Sequence, residues 1–211
     1  NWLEDLILSE YGLETYDEWS NQNILPSENK ILNSISSIGK LLFTDNAVYG
    51  TNKRVVRKEF RNNFKNLLSE DVDCVFSWAG HYANFYMPKD KTFGIDYNFF
   101  KFPSTNSNSS IVGIGDILTV LNYSDATVNV FNLLVNENFG KEWMKNEDAS
   151  YIPANKHNKN LIKNPLTFKE AELIQLSLLE NTFRYDASEL MERKIGADAL
   201  WAALRNYIDM G

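Results

Sequence analysis

The sequence predicts an α/β protein in which helices cover a sheet, and three observations carry that prediction. Ile31, Leu32, Ile35, Ile38, Leu41 and Leu42 recur at three- and four-residue spacing, the stripe of an amphipathic helix. Between Asp71 and Trp78, the residues Val72, Cys74 and Phe76 alternate with Asp73, Val75 and Ser77, the period of a half-buried strand. Helical patterns then continue after the strand patterns, without an internal repeat, as a mixed α/β architecture requires.

Taken in order, Trp2, Leu3, Leu6, Ile7 and Leu8 form one apolar helical face that stops at Tyr11-Gly12, and a second short helix is expected over Glu14 to Asn21. Pro26-Ser27 announces the long helix through Leu41. The stretch Lys53 to Lys65 sets Lys53, Arg54, Arg57, Lys58, Arg61 and Lys65 around Val55, Val56, Phe60 and Phe64, which predicts an amphipathic helix with a solvated basic face. After the Asp71 to Trp78 strand, Asp96 to Pro103, rich in Tyr97, Phe99, Phe100 and Phe102, predicts a second strand, and Ser104 to Ser110 a polar loop. A third strand is expected from Ile111. Its Gly113 and Gly115 lie in the apolar run to Leu121, where glycine marks a bend or a binding edge. Ser124 caps a helix bearing Val130, Leu133 and Leu134, and a further helix carries Phe139, Trp143 and Met144. Thr167 is expected to cap the helix of Ala171, Leu173, Ile174, Leu176 and Leu178. The last helix begins after Leu190 and runs through Trp201 towards Tyr207.

A chain of 211 residues that is 44% hydrophobic can bury a real core. With 28 acidic against 21 basic side chains, its net charge of -7 argues against nucleic acid as a partner, because phosphate neutralisation needs clustered cations. Cys74 is the single cysteine, so neither an internal disulfide nor a cysteine zinc cluster is expected. His81 and His157 lack a metal-ligand spacing, and no cofactor motif occurs. Asn1 to Ser9 lack the layout of a secretory signal, and no apolar run approaches the ~20 residues that span a bilayer. A cytosolic chain, or one whose front end lies outside this sequence, is what that allows.

The order of several short motifs resembles the bacterial extracellular solute-binding proteins that deliver α-glucosides and malto-oligosaccharides to ABC importers. Asn1-Trp2-Leu3-Glu4-Asp5-Leu6 resembles that family's tryptophan-acidic helix start, and Gly12 to Trp19 its Gly-x-x-x-Tyr-Asp-x-Trp element. Cys74-Val75-Phe76 through Ala83-Asn84-Phe85, Asp96 to Pro103, and Gly113-Ile114-Gly115-Asp116 are similar to a lobe-closing strand, an aromatic strand and a hinge-side turn. The most specific match is Thr182 to Met191, followed by Ile195-Gly196-Ala197 and Leu200-Trp201, although Glu192 stands where the family has proline.

The resemblance implies a periplasmic-binding-protein-like α/β fold of type II, maltose-binding-like. On its mapping, residues 1–111 and 164–211 belong to the second lobe, and residues 112–163 are a hinge crossing and a segment that packs on a missing N-terminal lobe. It implies no enzyme and no cofactor, but a receptor with two partners, an oligosaccharide ligand and membrane permease subunits. An extracytoplasmic place follows, periplasmic or lipid-anchored at the cell surface. Sugars stack on aromatic rings while polar groups take their hydroxyls. The ligand-binding candidates are therefore Trp201, with Arg205 one turn later, Trp78 at a strand end, Asp116 after its glycines, and Arg184. Arg184 and Asp186 are expected to orient one another, Trp19 and Trp143 to lie in the core, and Trp2 and Glu4 to pack inward. Two alternatives remain open: a carbohydrate-active enzyme using Asp116 and Asp186 as its acid and nucleophile, or a lobe that binds nothing by itself. Without a first lobe, Val130, Leu133, Leu134 and Trp143 are expected to stay partly uncovered.

Overall fold

The computed structural model describes residues 1–69, 80–104 and 110–210. The expected strand Asp71 to Trp78, with Cys74 and Trp78, lies outside the described residues. Helices α1 (Trp2–Ser20), α2 (Asn29–Leu42), α3 (Asn52–Arg57), α4 (Asn63–Leu67) and α5 (Ala83–Tyr86) precede strand β1 (Ile111–Gly113). Helices α6 (Asp125–Leu134), α7 (Lys141–Met144) and α8 (Pro165–Leu179) follow. Strand β2 (Phe183–Tyr185), α9 (Ala187–Leu190), a π-helical stretch (Lys194–Leu200) and α10 (Trp201–Met210) complete the described order. The chain divides into two compact units: Asn1–Ala79 with Phe99–Ile114 and Ser177–Gly211, and Gly80–Asn98 with Gly115–Leu176.

In the first unit, α1 supplies the largest share of the core. Leu3, Ile7, Leu8, Tyr16 and Trp19 bury against Ile31 and Ile38 of α2 and against Ala187 and Met191. The stop expected at Tyr11-Gly12 is present as a kink: Gly12 has φ 82° and ψ -177°, a conformation that belongs to glycine. A Cβ built at Gly12 meets no atom within 4 Å, so Gly12→Ala tests backbone conformation alone. It is expected to destabilise the protein by about 1–2 kcal/mol in urea unfolding.

The apolar stripe of α2 is narrower than the periodicity implied. Each residue turns the helix about 100°, so Ile35, Ile38 and Leu42 share the face of Ile31, whereas Leu32 and Leu41 rotate away. They are 45% and 41% exposed. Beside that stripe the fully buried Ser34 donates to Glu10 Oε2 at 2.7 Å and Ser37 to Oε1 at 2.9 Å, which ties α2 to α1 through one carboxylate.

Lys53 to Lys65 is not the single helix its pattern suggested. Thr51 caps α3, the backbone opens at Lys58 (φ -76°, ψ 135°), and a turn over Phe60–Asn62 leads into α4. One continuous helix would put Phe60 and Phe64 on the same face. The break instead buries Phe64 completely and leaves Phe60 at the surface.

Asp96 to Pro103 also differs from expectation, since it contains no strand and only an isolated bridge pairs Phe93 with Tyr97. Asp96 Oδ2 accepts from the Thr92 amide at 2.7 Å, a local side-chain bond that closes a turn in competition with sheet pairing. The sheet among the described residues is the parallel pair β1–β2, in register Ile111 with Phe183, Val112 with Arg184 and Gly113 with Tyr185. Gly113 is glycine because a Cβ there would lie 2.7 Å from the Phe183 ring. The architecture is thus helix-rich around a small parallel sheet.

The second unit has a smaller core of Met144, Ile162 and Ala171, with Tyr151, Ile152, Leu161 and Phe168 against it. Ser124 caps α6 by accepting from the Thr127 amide, as its position predicts. The cap of α8 is Asn164, not Thr167: Asn164 Oδ1 accepts from the Thr167 amide at 2.9 Å. Thr167 is itself fully buried, and its hydroxyl receives Asn84 Nδ2 at 3.1 Å. His81 Nδ1 pairs with Glu170 Oε2 at 2.9 Å. On α6, by contrast, Val130 and Leu133 are 55% and 69% exposed, and the preceding Leu121 is 94% exposed.

Candidate functional site

The motif Phe183-Arg184-Tyr185-Asp186-Ala187-Ser188 runs from β2 into α9 and fastens both to α1. Tyr16, buried within α1, donates from its hydroxyl to the Tyr185 carbonyl at 2.7 Å and accepts from the Ala187 amide at 3.0 Å. The Ser188 amide is shared by Glu4 Oε1 and Asp186 Oδ1, each at 3.0 Å. Asp186 caps α9 and receives Asn1 Nδ2 at 2.6 Å.

Glu4 and Asp186 are both almost wholly buried. Burial raises the Glu4 carboxyl above its ordinary value, against the pull of the amino terminus. Burial pushes Asp186 up as well, but hydrogen bonds from Glu4 and Ser188 outweigh it and hold Asp186 below the usual carboxylate range. Tyr16 beside them is pushed upward by burial and by the charge of Glu4.

The expected pairing of Arg184 with Asp186 does not occur. Arg184 Nε and Nη2 reach Asp17 Oδ1 and Oδ2 at 2.5 and 2.9 Å, a bidentate pair, and Nη1 donates to the Asn181 and Phe183 carbonyls. The physical reason is that Asp186 lies past the end of β2, where it caps α9 and accepts from Ser188 and Asn1, so that Asp17 of α1 is the carboxylate that takes Arg184. Asp17 and Tyr16 were legible only as part of a resemblance; no spacing tied them to positions so distant in the chain.

Trp201 and Arg205 are brought together as their one-turn spacing predicts. The Arg205 guanidinium carbon stands 4.5 Å from the centre of the Trp201 ring, and Trp201 remains 58% exposed at the surface of α10. The exposed indole thus carries an exposed guanidinium over its ring. In the second unit, Asp116 is exposed, and its charge adds to burial in raising the Tyr151 hydroxyl. Trp143, expected to be a core residue yet partly uncovered without a first lobe, is 58% exposed, edge-on to Tyr151 at 5.6 Å and to Phe139 at 5.5 Å. Helix α7 is a single turn, too short to bury both faces, so Met144 takes the core position and Trp143 points out. Trp19 lies in the core, and Trp2 and Glu4 pack inward, as expected. Trp78 lies outside the described residues.

No family model matches the chain, and no solved structure matches it significantly. Two curated proteins do. The alpha-glucosides-binding periplasmic protein AglE of Rhizobium meliloti (strain 1021) is 26% identical over 212 residues, covering 99% of this chain and 45% of its own length. The osmoprotective compounds-binding protein GgtB of Synechocystis sp. (strain ATCC 27184 / PCC 6803 / Kazusa) is 22% identical over 210 residues, covering 99% of this chain and 49% of its own. The chain spans about half the length of the curated relatives it matches. No helix among the described residues is long and apolar enough to cross a membrane. The chain is a homologue of bacterial solute-binding proteins, similar to two of them over nearly all of its own length.

Proposed function

We propose that the chain is the ligand-capturing part of the substrate-binding component of an ABC importer, and that it takes an α-glucoside or malto-oligosaccharide. The single observation that carries this is the Trp201–Arg205 pair, a tryptophan face left in solvent with a guanidinium 4.5 Å from its ring centre. A pyranose stacks its apolar face on such a ring, and the free donors of the arginine take its hydroxyls. Asp116, Trp78 and the exposed Trp143 are proposed as further contacts in the complete protein. Arg184 donates to Asp17 and to two carbonyls, which supports a role in positioning β2 over one as a ligand contact. No bond is broken: the second carboxylate an enzyme would need, Asp186, is buried and occupied in capping α9.

The relatives are about twice as long, and the apolar surface of α6 is where further polypeptide, a first lobe, is proposed to pack. Closure of two such lobes over the sugar and presentation to permease subunits outside the membrane complete the proposed cycle.

Isothermal titration tests the proposal, with this chain and with a version extended by a relative's preceding lobe, against maltose, trehalose, sucrose and longer α-glucans. Saturable binding by the extended protein is expected, and Trp201→Ala is expected to weaken it at least tenfold, about 1.4 kcal/mol. Binding untouched by Trp201→Ala would remove the stacking residue, and no heat with any sugar would remove the sugar class.

A further inference from the structure

Independently of sugar binding, the geometry points to a second surface: we propose that Tyr49 to Lys65 docks on a membrane surface rich in anionic phospholipid headgroups. Six of the chain's 21 basic side chains and one of its 28 acidic ones fall between Lys53 and Lys65, so this stretch carries +5 in a chain of net charge -7. The break at Lys58 and the burial of Phe64 fix the segment to the first unit while Arg54, Arg57, Arg61 and Lys65 stay exposed.

The second, independent observation is that the cations are interleaved with exposed rings. The Arg54 guanidinium carbon and Lys58 Nζ each lie 5.2 Å from the centre of the Tyr49 ring, which is 45% exposed. Arg61 stands 5.9 Å from the ring centre of Phe60. Among the described residues, Glu59 lies 3.4 Å from Arg61, and Asp209 of α10 lies 3.8 Å from Arg57. Exposed ion pairs of that length hold their cations weakly.

A polybasic stretch alone would suit any anion. Half-exposed tyrosine and phenylalanine among the cations suit an interface, where rings sit at headgroup depth and the long cationic side chains reach phosphates. The rest of the chain carries a net charge of -12, which is -7 minus +5, so the same membrane favours contact through this stretch over contact through the remainder.

The test is co-sedimentation of the chain with vesicles of phosphatidylcholine alone and of phosphatidylcholine with phosphatidylglycerol in equal parts, at 50 and 500 mM NaCl, concentrations chosen to sit either side of strong screening. Binding to the anionic vesicles at low salt, and its loss at high salt, is expected. The triple variant Arg54→Glu, Arg57→Glu, Arg61→Glu is expected to lose at least about a hundredfold in partitioning. A control triple of exposed lysines in the second unit, Lys89→Glu, Lys145→Glu and Lys163→Glu, is expected to pellet at least tenfold more than the patch variant. Equal pelleting on neutral vesicles, no pelleting of the unaltered chain, or a patch variant that binds like the unaltered chain would each overturn the proposal. The neutral-vesicle arm uses only the unaltered chain, so it decides even where a variant folds poorly.

Discussion

Replacing Tyr16 by alanine is expected to destabilise the protein by about 4 kcal/mol, the largest effect of any single change considered for the first unit. Two losses combine. The ring is 1% exposed and packs edge-on to Trp19 at 5.9 Å, so its removal leaves a cavity where α1 meets α2 and α9. Its hydroxyl also holds the Tyr185 carbonyl and the Ala187 amide, and both would be left without that partner. Tyr16→Phe separates the two, keeping the ring and losing the hydroxyl, and is expected to cost about 1–2 kcal/mol. Urea unfolding midpoints at pH 7 check both. If Tyr16→Phe unfolds like the unaltered protein, the hydroxyl is not a fastener and the motif at Phe183 to Ser188 is held by packing alone.

Asp5→Asn is expected to act in the opposite direction and to stabilise the protein at neutral pH by about 2 kcal/mol. Asp5 borders a small cleft with Leu8, Phe102 and Ser110, and burial pushes its carboxyl up from 3.8 to about 7. The amino terminus opposes that shift, while Glu4 and Asp186 add to it. A carboxyl whose folded value is raised binds its proton more tightly in the native state. It therefore costs stability as pH rises from about 4 to about 7, and the full cost is present above that window. A shift of about three units corresponds to ~4 kcal/mol, and the part of Asp5 still in contact with water reduces this to about half. The amide carries no charge at any pH in this range. Chemical unfolding at pH 4.5 and pH 8 should therefore show a gap between Asp5→Asn and the unaltered protein that widens with pH. A gap that stays constant would assign the effect to packing. Asp186 works with the opposite sign: its lowered value contributes stability above its unfolded value, which is lost as pH falls further into the acid range.

The two changes lie beside the same short motif, Tyr16 through its hydrogen bonds and Asp5 through the charge of Asp186. Phe183 to Ser188 is the part of the chain that most specifically resembles the sugar-receptor family, yet its polar groups are spent on α1. Arg184 is clamped by Asp17, Asp186 by Asn1 and Ser188, and the Tyr185 and Ala187 peptides by Tyr16. The motif leads into the π-helical stretch and α10, where Trp201, the proposed stacking residue, lies beside Arg205.

Local chemistry was readable from the residues themselves. The kink at Gly12, the Ser124 cap, the inward Ile31, Ile35 and Ile38, and the one-turn pairing of Trp201 with Arg205 each depend on neighbours within a few positions, where backbone geometry sets the spacing. The whole-chain kinship to solute-binding proteins was likewise carried by motif order. What only the tertiary structure decided was every choice between partners far apart in sequence. Arg184 took Asp17, far away in the chain, over Asp186, and Met144 filled the core while Trp143 faced outward; two local choices also differed from the pattern, Asn164 capping α8 in place of Thr167 and Asp96 closing a turn with Thr92. Periodicity states which residues must be buried or bonded; which surface buries them and which group bonds them is set by the packing of elements that sequence spacing does not bring together.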